Sequence, residues 1–187
     1  MRYAWIYTLN HPTGGPPVDA VTDGYLLEEI GRSRATLVSL WPSIEAVRTA
    51  SAAVGVPRGT VVRDEIYQVR HELHGPDPAA RPAAATLLDF DGPTSPARVA
   101  AAERAFTHRI RPLMERLDGC VRAFVLWQPA TGAQVVLGVT DSLEALRRIG
   151  RAVTTAPLLP GEDAALLPGP DRAAIHTVTF SYEGALR

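Results

Sequence analysis

Apolar and polar residues in the second half of the chain alternate with the period of a β-strand in some segments and with that of an α-helix in others. The order of these segments predicts a β-α-β-β-α-β unit. The predicted strands are runs rich in β-branched and aromatic residues, separated by Gly, Pro and Asp turns. They cover residues 86–90, 121–128, 134–139 and 174–182. Two apolar stripes at helical spacing fill the gaps between them, so this half contains every element of a split β-α-β unit.

The two predicted helices of this half carry start and stop signals. The first begins at Ser95, an N-cap residue followed by proline, and ends at Gly119. Pro112 lies inside its apolar stripe and should kink or interrupt the helix. The second opens with a capping-box pattern from Asp141 to Glu144.

The first half carries the same pattern with one element missing. Its predicted strands are 3–9, 24–30, 35–41 and 61–73, with a helix at 43–54. Residues 10–23 stand where the second half has its first helix, and they are rich in Gly, Pro and Thr, which is typical of a loop. A sheet face without its helix exposes apolar side chains. We therefore expect the long loop of the second half, the linker or a second subunit to cover that face.

The halves also share sequence at a fixed spacing. Residues 24–48 align without a gap on 123–147, a shift of 99 positions, and residues 63–69 align on 172–178, a shift of 109. The difference of ten predicts a duplicated unit with an insertion in the second copy, within 156–172. That segment repeats Leu-Leu-Pro-Gly, and a covering lid, an oligomer contact and a tolerated surface insertion all remain open for it.

These patterns predict an α+β fold of two ferredoxin-like units. Residues 1–74 form a degenerate unit lacking its first helix, residues 75–84 an extended linker, and residues 85–187 a complete unit.

The paired units resemble the dimeric α+β barrel superfamily, in which two such sheets close into one barrel. A strand ending in Trp41 and followed by a helix of small, acidic and Ala residues is similar to a motif of its antibiotic-biosynthesis-monooxygenase branch. The resemblance implies a barrel formed within one chain by a fused and diverged pair, with a small pocket. Relatives oxygenate phenolic polyketides without a cofactor, cyclise polyketides by aldol chemistry or degrade haem, and several have no known activity. Of the Asn, Trp, Tyr and Arg set of the quinone-forming members, only Trp41 can be placed here.

Composition narrows the class of protein. The chain of 187 residues is 46% hydrophobic and 21% charged, as expected of a globular protein. A net charge of −1 gives no reason to expect nucleic acid or an acidic membrane as partner. All 19 basic residues are arginine, which indicates a GC-rich, actinobacterial kind of genome. Three features predict a cytoplasmic protein: a single cysteine, a first strand in place of a leader, and the lack of a long apolar run. A homodimer is a possible assembly.

His176 is the leading candidate for catalysis. It lies mid-strand in phase with Val178, Phe180 and Tyr182, so it should point into the barrel, where an imidazole could act as a base towards a phenol or an activated methylene. A buried histidine held by one hydrogen bond is the alternative. The equivalent position in the first copy is Tyr67.

Asp89 is the second candidate, because its strand neighbours are apolar and a buried carboxylate needs a partner. It could orient a histidine or a substrate hydroxyl, or it could be a strand-edge residue in water.

The predicted substrate-binding residues are mostly aromatic, because an aromatic wall suits a flat polycyclic ligand. They are Trp41, Trp127, Phe180 and His71, the last in phase with Tyr67 and Val69. The histidines show no metal-ligand spacing, and the chain contains no phosphate loop, dinucleotide fingerprint or nucleophile elbow. We therefore expect neither a metal nor an organic cofactor.

Together these features predict a cofactor-independent enzyme of secondary metabolism that oxygenates a phenol in an aromatic or polyketide-like substrate. His176 would be the base, with Tyr67 or Asp89 assisting, in a pocket expected within the second copy. A polyketide cyclase acting by aldol chemistry and a non-catalytic binding or assembly protein remain alternatives.

Overall fold

Strands dominate the computed structural model, which describes residues 1–11, 21–53, 59–92 and 94–182. Within these ranges eight antiparallel strands close into one barrel. The strands are β1 (Tyr3–Asn10), β2 (Gly24–Glu29), β3 (Arg34–Trp41), β4 (Thr60–His74), β5 (Ala84–Phe90), β6 (Cys120–Gln128), β7 (Ala133–Thr140) and β8 (Arg172–Tyr182). The helices are α1 (Ile44–Ala53), α2 (Pro96–Ala105), α3 (Arg111–Met114) and α4 (Leu143–Thr155), with a single 3₁₀ turn at Ala164–Leu166.

The strand order confirms the predicted α+β barrel. Around the barrel it is β1-β3-β2-β8-β5-β7-β6-β4, so each half supplies four neighbouring strands in the same relative order, β4-β1-β3-β2 and β8-β5-β7-β6. This order is compatible with a tandem pair of ferredoxin-like units. The boundaries 1–74, 75–84 and 85–187 stay a prediction, and most of the segment in which the first half should lack a helix, residues 12–20, lies outside the described residues.

The strand register repeats between the halves. Tyr67 of β4 is paired with Ala4 of β1, and His176 of β8 is paired with Ala85 of β5. The internal alignment relates positions 67 and 176, and they occupy matching places in the barrel wall.

A β-bulge also occurs at matching places and corrects two of the predicted orientations. The β4–β6 register skips Arg70, and the β2–β8 register skips Thr179. An inserted residue reverses the alternation of side chains beyond it. His71 and Phe180 therefore turn to the outer face of the barrel instead of following Tyr67 and His176 inward, and Phe180 is 54% exposed.

Apolar side chains fill most of the barrel and two clusters outside it. The inner cluster includes Ile6, Leu27, Val38, Leu87, Phe124, Leu126, Leu137 and Val139. One outer cluster, which includes Trp5, Leu37 and Val47, lies under α1. The other includes Leu73, Met114 and Ile149 and joins the sheet to α3 and α4. Each fully buried large side chain contributes about 1.5–3 kcal/mol, so the barrel wall is stabilised from both faces.

Pro112 interrupts its helix as predicted. A π-helical turn at Phe106–Ile110 separates α2 from α3, and the Arg111 N–H donates to the carbonyl of Phe106, five residues earlier. Proline has no N–H and its ring displaces the preceding turn, so the helix widens by one residue before it resumes.

The insertion within 156–172 is anchored by a largely buried ion pair. Glu162 Oε2 lies 2.9 Å from Arg109 Nε of the π-helical turn. The 3₁₀ turn of this loop packs on α2, in the second half of the chain. The loop does not cover the outer face of β2 and β8, where Ile30, Ile175 and Phe180 are exposed. A second subunit on that face stays a prediction.

Candidate active site at the open end of the barrel

The two ends of the barrel are built differently. At one end, which we call the closed end, Arg2, Asp23, Glu72 and Arg122 form a network. Arg122 lies 2.8 Å from Asp23 and 2.5 Å from Glu72, and Arg2 reaches the same two carboxylates at 2.5 and 2.6 Å. Burial alone would lower the pKa of Arg122, but the hydrogen bond that Arg122 donates to Asp23 and the other charges around it outweigh this and raise the pKa. All four side chains are paired, and they seal this end.

At the opposite end the barrel holds a cavity of about 320 Å³, which we call the mouth pocket. Its inner wall is lined by Leu87 and Val135, but most of the side chains in it are polar. The polar side chains that line it include Thr8, Glu29, Arg34, Thr36, Arg63, Glu65, Tyr67, Asp89 and His176. The three side chains predicted to be catalytic therefore line one cavity.

Both halves of the chain build this pocket, which corrects the expectation that it would lie within the second copy. Tyr67 and Glu65 come from β4, whereas Asp89 and His176 come from β5 and β8. A closed barrel brings the inner faces of all strands to a common axis, so a pocket at its end is necessarily shared.

Arg63, Glu65 and Tyr67 form a hydrogen-bonded triplet on β4. The Tyr67 hydroxyl donates to Glu65 Oε2 at 2.5 Å and accepts from an Arg63 N–H at 2.6 Å, while Arg63 Nε donates to the same carboxylate at 2.7 Å. Burial, followed by the hydrogen bond to Glu65, raises the pKa of Tyr67 to about 12. Tyr67 therefore keeps its proton at neutral pH, and its hydroxyl fixes the position of Arg63 instead of acting as a base.

Asp89 faces Arg63 from the neighbouring half of the barrel. Its Oδ1 lies 2.8 Å from the guanidinium, close enough for an ion pair. The angle does not suit a hydrogen bond, and this oxygen is buried with no hydrogen-bond partner. Burial opposes the charge of Arg63, but Tyr67 and Asp89 outweigh it, and the pKa of Arg63 is raised. The carboxylate therefore lines the pocket with one oxygen that accepts no hydrogen bond.

His176 is the histidine of the mouth pocket, and only 1% of its surface is exposed. Its Nδ1 has no hydrogen-bond partner. Burial lowers the pKa of the imidazole, and the opposing charges of Glu29 and Asp89 do not restore it. The ring is therefore neutral at pH 7, the state in which an imidazole can accept a proton.

None of the four predicted substrate-binding residues is among the described residues that line the mouth pocket. Trp41 donates its indole N–H to the Ser39 hydroxyl in the cluster near α1. Trp127 lies on the outer side of β6 under the guanidinium of Arg70. Phe180 is on the exposed outer face of β8.

His71, the fourth, also lies outside. Its Nε2 is 2.7 Å from Glu103 of α2, and its ring stacks on Phe106 with centroids 4.4 Å apart. The histidine is fully engaged as a contact between β4 and the helix.

The sequence reasoning missed Glu29, Arg63 and Glu65. A signal for Arg63 was available, because it opens the internal repeat and stands two and four residues before Glu65 and Tyr67, on the same strand face. Glu29 carried no comparable signal, since only the pairing of β2 with β8 brings it beside His176.

The described residues show neither a group of three side chains that could hold a metal ion nor a helix long and apolar enough to cross a membrane. By sequence the chain matches no family model and no curated protein.

Solved structures, in contrast, match over the whole barrel. An anthrone oxidase-like protein superposes with a TM-score of 0.55 at 13% identity, covering 100% of this chain and 96% of that one. A ferredoxin-fold protein from Listeria monocytogenes, related to antibiotic biosynthesis monooxygenases, gives 0.52 at 11% identity, with 96% and 95% covered. The shared fold is a ferredoxin-like α+β barrel.

A third α+β barrel of the same kind is a heme-degrading enzyme from Listeria monocytogenes, with a TM-score of 0.52, 9% identity, and 94% and 99% of the two chains covered. Each of these proteins is matched over nearly its full length. Identities this low show a shared fold and leave the activity to be argued from the site.

Proposed function

We propose that this protein is a cofactor-independent enzyme of secondary metabolism that deprotonates a hydroxyl-bearing aromatic substrate in the mouth pocket and lets dioxygen oxidise the resulting anion. His176 is the base. Asp89 accepts a hydrogen bond from a second substrate hydroxyl, and Arg63 stabilises the negative charge that develops.

One observation carries this proposal. His176 Nδ1 and Asp89 Oδ1 are buried, have no hydrogen-bond partner and line the same cavity. An unpaired buried polar atom costs about 1–3 kcal/mol, and such atoms are rare without a functional reason. A ligand hydroxyl supplies the donor that each of these acceptors lacks.

The chemistry balances without a further reductant. The substrate O–H bond breaks and its proton moves to His176, leaving a phenolate whose charge spreads over the ring. The ring anion supplies electrons to dioxygen, and a carbon–oxygen bond forms. The peroxide adduct takes the proton back from His176, and loss of water then leaves a quinone. One oxygen atom enters the product and the other leaves as water, with all electrons supplied by the substrate. The protein contributes proton transfer and a fixed orientation.

Size and structural similarity support a small aromatic substrate. A cavity of about 320 Å³ is at the lower end of the range for ligand pockets, and its apolar wall can face a ring while its polar side chains face the hydroxyls. The similarity to an anthrone oxidase-like protein agrees with this substrate class.

The test is oxygen uptake with hydroxylated anthrones as substrates, measured in an oxygen electrode together with quinone absorbance. We expect His176→Asn to lower kcat/KM by about 10²–10⁴-fold, the usual contribution of a general base. His108→Asn is the matched control, because His108 is exposed on the π-helical turn. Equal rates for wild type and His176→Asn would remove the histidine from the mechanism.

Related measurements separate the alternative functions. An aldol cyclase would consume a poly-β-ketone substrate in the absence of dioxygen, because the base then forms an enolate that attacks a carbonyl of the same molecule. A binding protein would retain the ligand and release it unchanged. Difference spectra with haemin test the further possibility that the pocket takes the ligand of the heme-degrading neighbour.

A further inference from the structure

We propose that Glu29 is a positioning residue for His176: its carboxylate stabilises the protonated imidazole. This inference rests on the proposed role of His176 as a base, and it assigns a function to a residue at the wall of the same pocket.

Strand register places the two side chains together. Glu29 of β2 is paired directly with His176 of β8. Directly opposed residues of antiparallel strands have Cβ atoms about 4.5–5.5 Å apart, with their side chains on the same face. Both residues line the mouth pocket, so that shared face is the inner one.

The carboxylate of Glu29 is held in place by two arginines. Its side chain is 9% exposed, and its two oxygens lie 3.3 Å from Arg32 Nε and 3.2 Å from an Arg34 N–H nitrogen. Arg32 is 64% exposed, whereas Arg34 is held by Asn10 at 2.8 Å. These contacts fix the carboxylate in the barrel wall that carries the ring.

The other charged groups around the imidazole cannot replace Glu29. Asp89 on β5 is neutralised by Arg63 of β4, and Tyr67 of β4 keeps its proton. Arg34 on β3 acts in the opposite direction, because a positive charge disfavours the imidazolium. Among the charges that act on the pKa of His176, that of Glu29 has the largest effect, although burial exceeds it.

The experiment is an NMR titration of the histidine imidazoles in the ligand-free protein, with the His176 signals assigned by their loss in His176→Asn. We expect Glu29→Gln to move the titration midpoint of His176 to lower pH and Arg34→Gln to move it to higher pH. Glu28→Gln is the matched control, because Glu28 is the preceding residue of the same strand, exposed and on the outer face.

A midpoint that stays in place or rises in Glu29→Gln overturns the inference. If that variant does not fold, the opposite shift expected for Arg34→Gln still decides it, since its absence shows that charges on this wall do not reach the ring. A purely structural role of Glu29 predicts lower stability with an unchanged His176 midpoint in the folded protein.

Because the titration needs no substrate, it separates this inference from the proposed function. Shifted midpoints without any turnover by the wild type would support the Glu29–His176 coupling and reject the enzyme. Turnover that depends on His176 but not on Glu29 would do the reverse. If both hold, Glu29→Gln lowers kcat/KM by roughly tenfold and moves the acidic limb of its pH profile to lower pH, whereas Glu29→Asp retains most of the activity.

Discussion

The two ends of this barrel are formed by the same eight strands, yet they have opposite chemical character. At the closed end, two arginines meet two carboxylates and every charge is paired. At the open end, Asp89 Oδ1 is ion-paired with Arg63 but makes no hydrogen bond, and His176 Nδ1 makes none either. A satisfied polar network stabilises and excludes ligands, whereas unsatisfied buried acceptors favour a ligand that carries donors.

The internal repeat relates residues at the two ends. Positions 23 and 122 lie one residue before the aligned stretches 24–48 and 123–147, at the same shift of 99, and Asp23 and Arg122 contact each other. Positions 67 and 176 are equivalent in the second aligned stretch, and Tyr67 and His176 line the open end. Related positions therefore carry opposite charges at one end and a tyrosine and a histidine at the other.

The largest expected effect comes from breaking the closed end. Arg122→Ala leaves the carboxylates of Asp23 and Glu72 without their central partner, which should lower the free energy of unfolding by about 3–5 kcal/mol. Urea denaturation measures it. The control is Arg172→Ala, which removes an exposed bidentate pair with Asp91 and should cost no more than about 1 kcal/mol. Equal losses in the two variants would contradict the distinction between buried and exposed pairs.

A smaller effect on the free energy of unfolding is expected when the pH is lowered. Burial alone would raise the pKa of Glu72, but the hydrogen bond and charge of Arg122, with Arg2 and His74 nearby, lower it below 4.5. A group with a lowered folded-state pKa stabilises the protein above its unfolded pKa. That contribution disappears as the pH falls from about 4.5 through the folded value.

Stability measured as a function of pH checks this sign. Glu72→Gln should flatten the loss of stability below pH 4.5, relative to wild type. The control is Glu115→Gln at the end of α3, where the side chain is exposed. A wild-type curve with no slope in that range would mean that Glu72 does not contribute to the network as a carboxylate.

The smallest effect tests the open end in the opposite direction. His176→Leu replaces a buried ring whose Nδ1 makes no hydrogen bond with an apolar side chain of similar volume, and it should raise the free energy of unfolding by about 1 kcal/mol. Activity should be lost in the same variant. A drop in stability would indicate that His176 has a structural hydrogen bond, the alternative role considered for it from the sequence.

Much of the fold could be predicted because it depends on local pattern. Neighbouring residues are enough to predict the alternating strands and the proline break in the α2–α3 helix. The repeat at 24–48 and 123–147 is visible in the sequence as well. The inward orientation of His176 followed from the same alternation and is confirmed by its burial.

The wrong predictions concern side-chain orientation beyond a β-bulge and the place of a pocket in a closed sheet. The bulges at Arg70 and Thr179 reverse the faces of His71 and Phe180, and alternation alone carries no signal for an inserted residue. The expectation of a pocket within the second copy treated the units as separate cores. Closing the barrel merges their inner faces.

The sequence by itself determined most of the secondary structure, the internal repeat and the inward orientation of His176, because each follows from the order of residues close in the chain. Only the tertiary structure decided which polar side chains meet. Barrel closure pairs β2 with β8 and β4 with β6, and this places Glu29 beside His176 and Arg122 between Asp23 and Glu72. Such long-range pairings follow from packing the whole sheet, and so the difference between a sealed end and a reactive one emerges only in three dimensions.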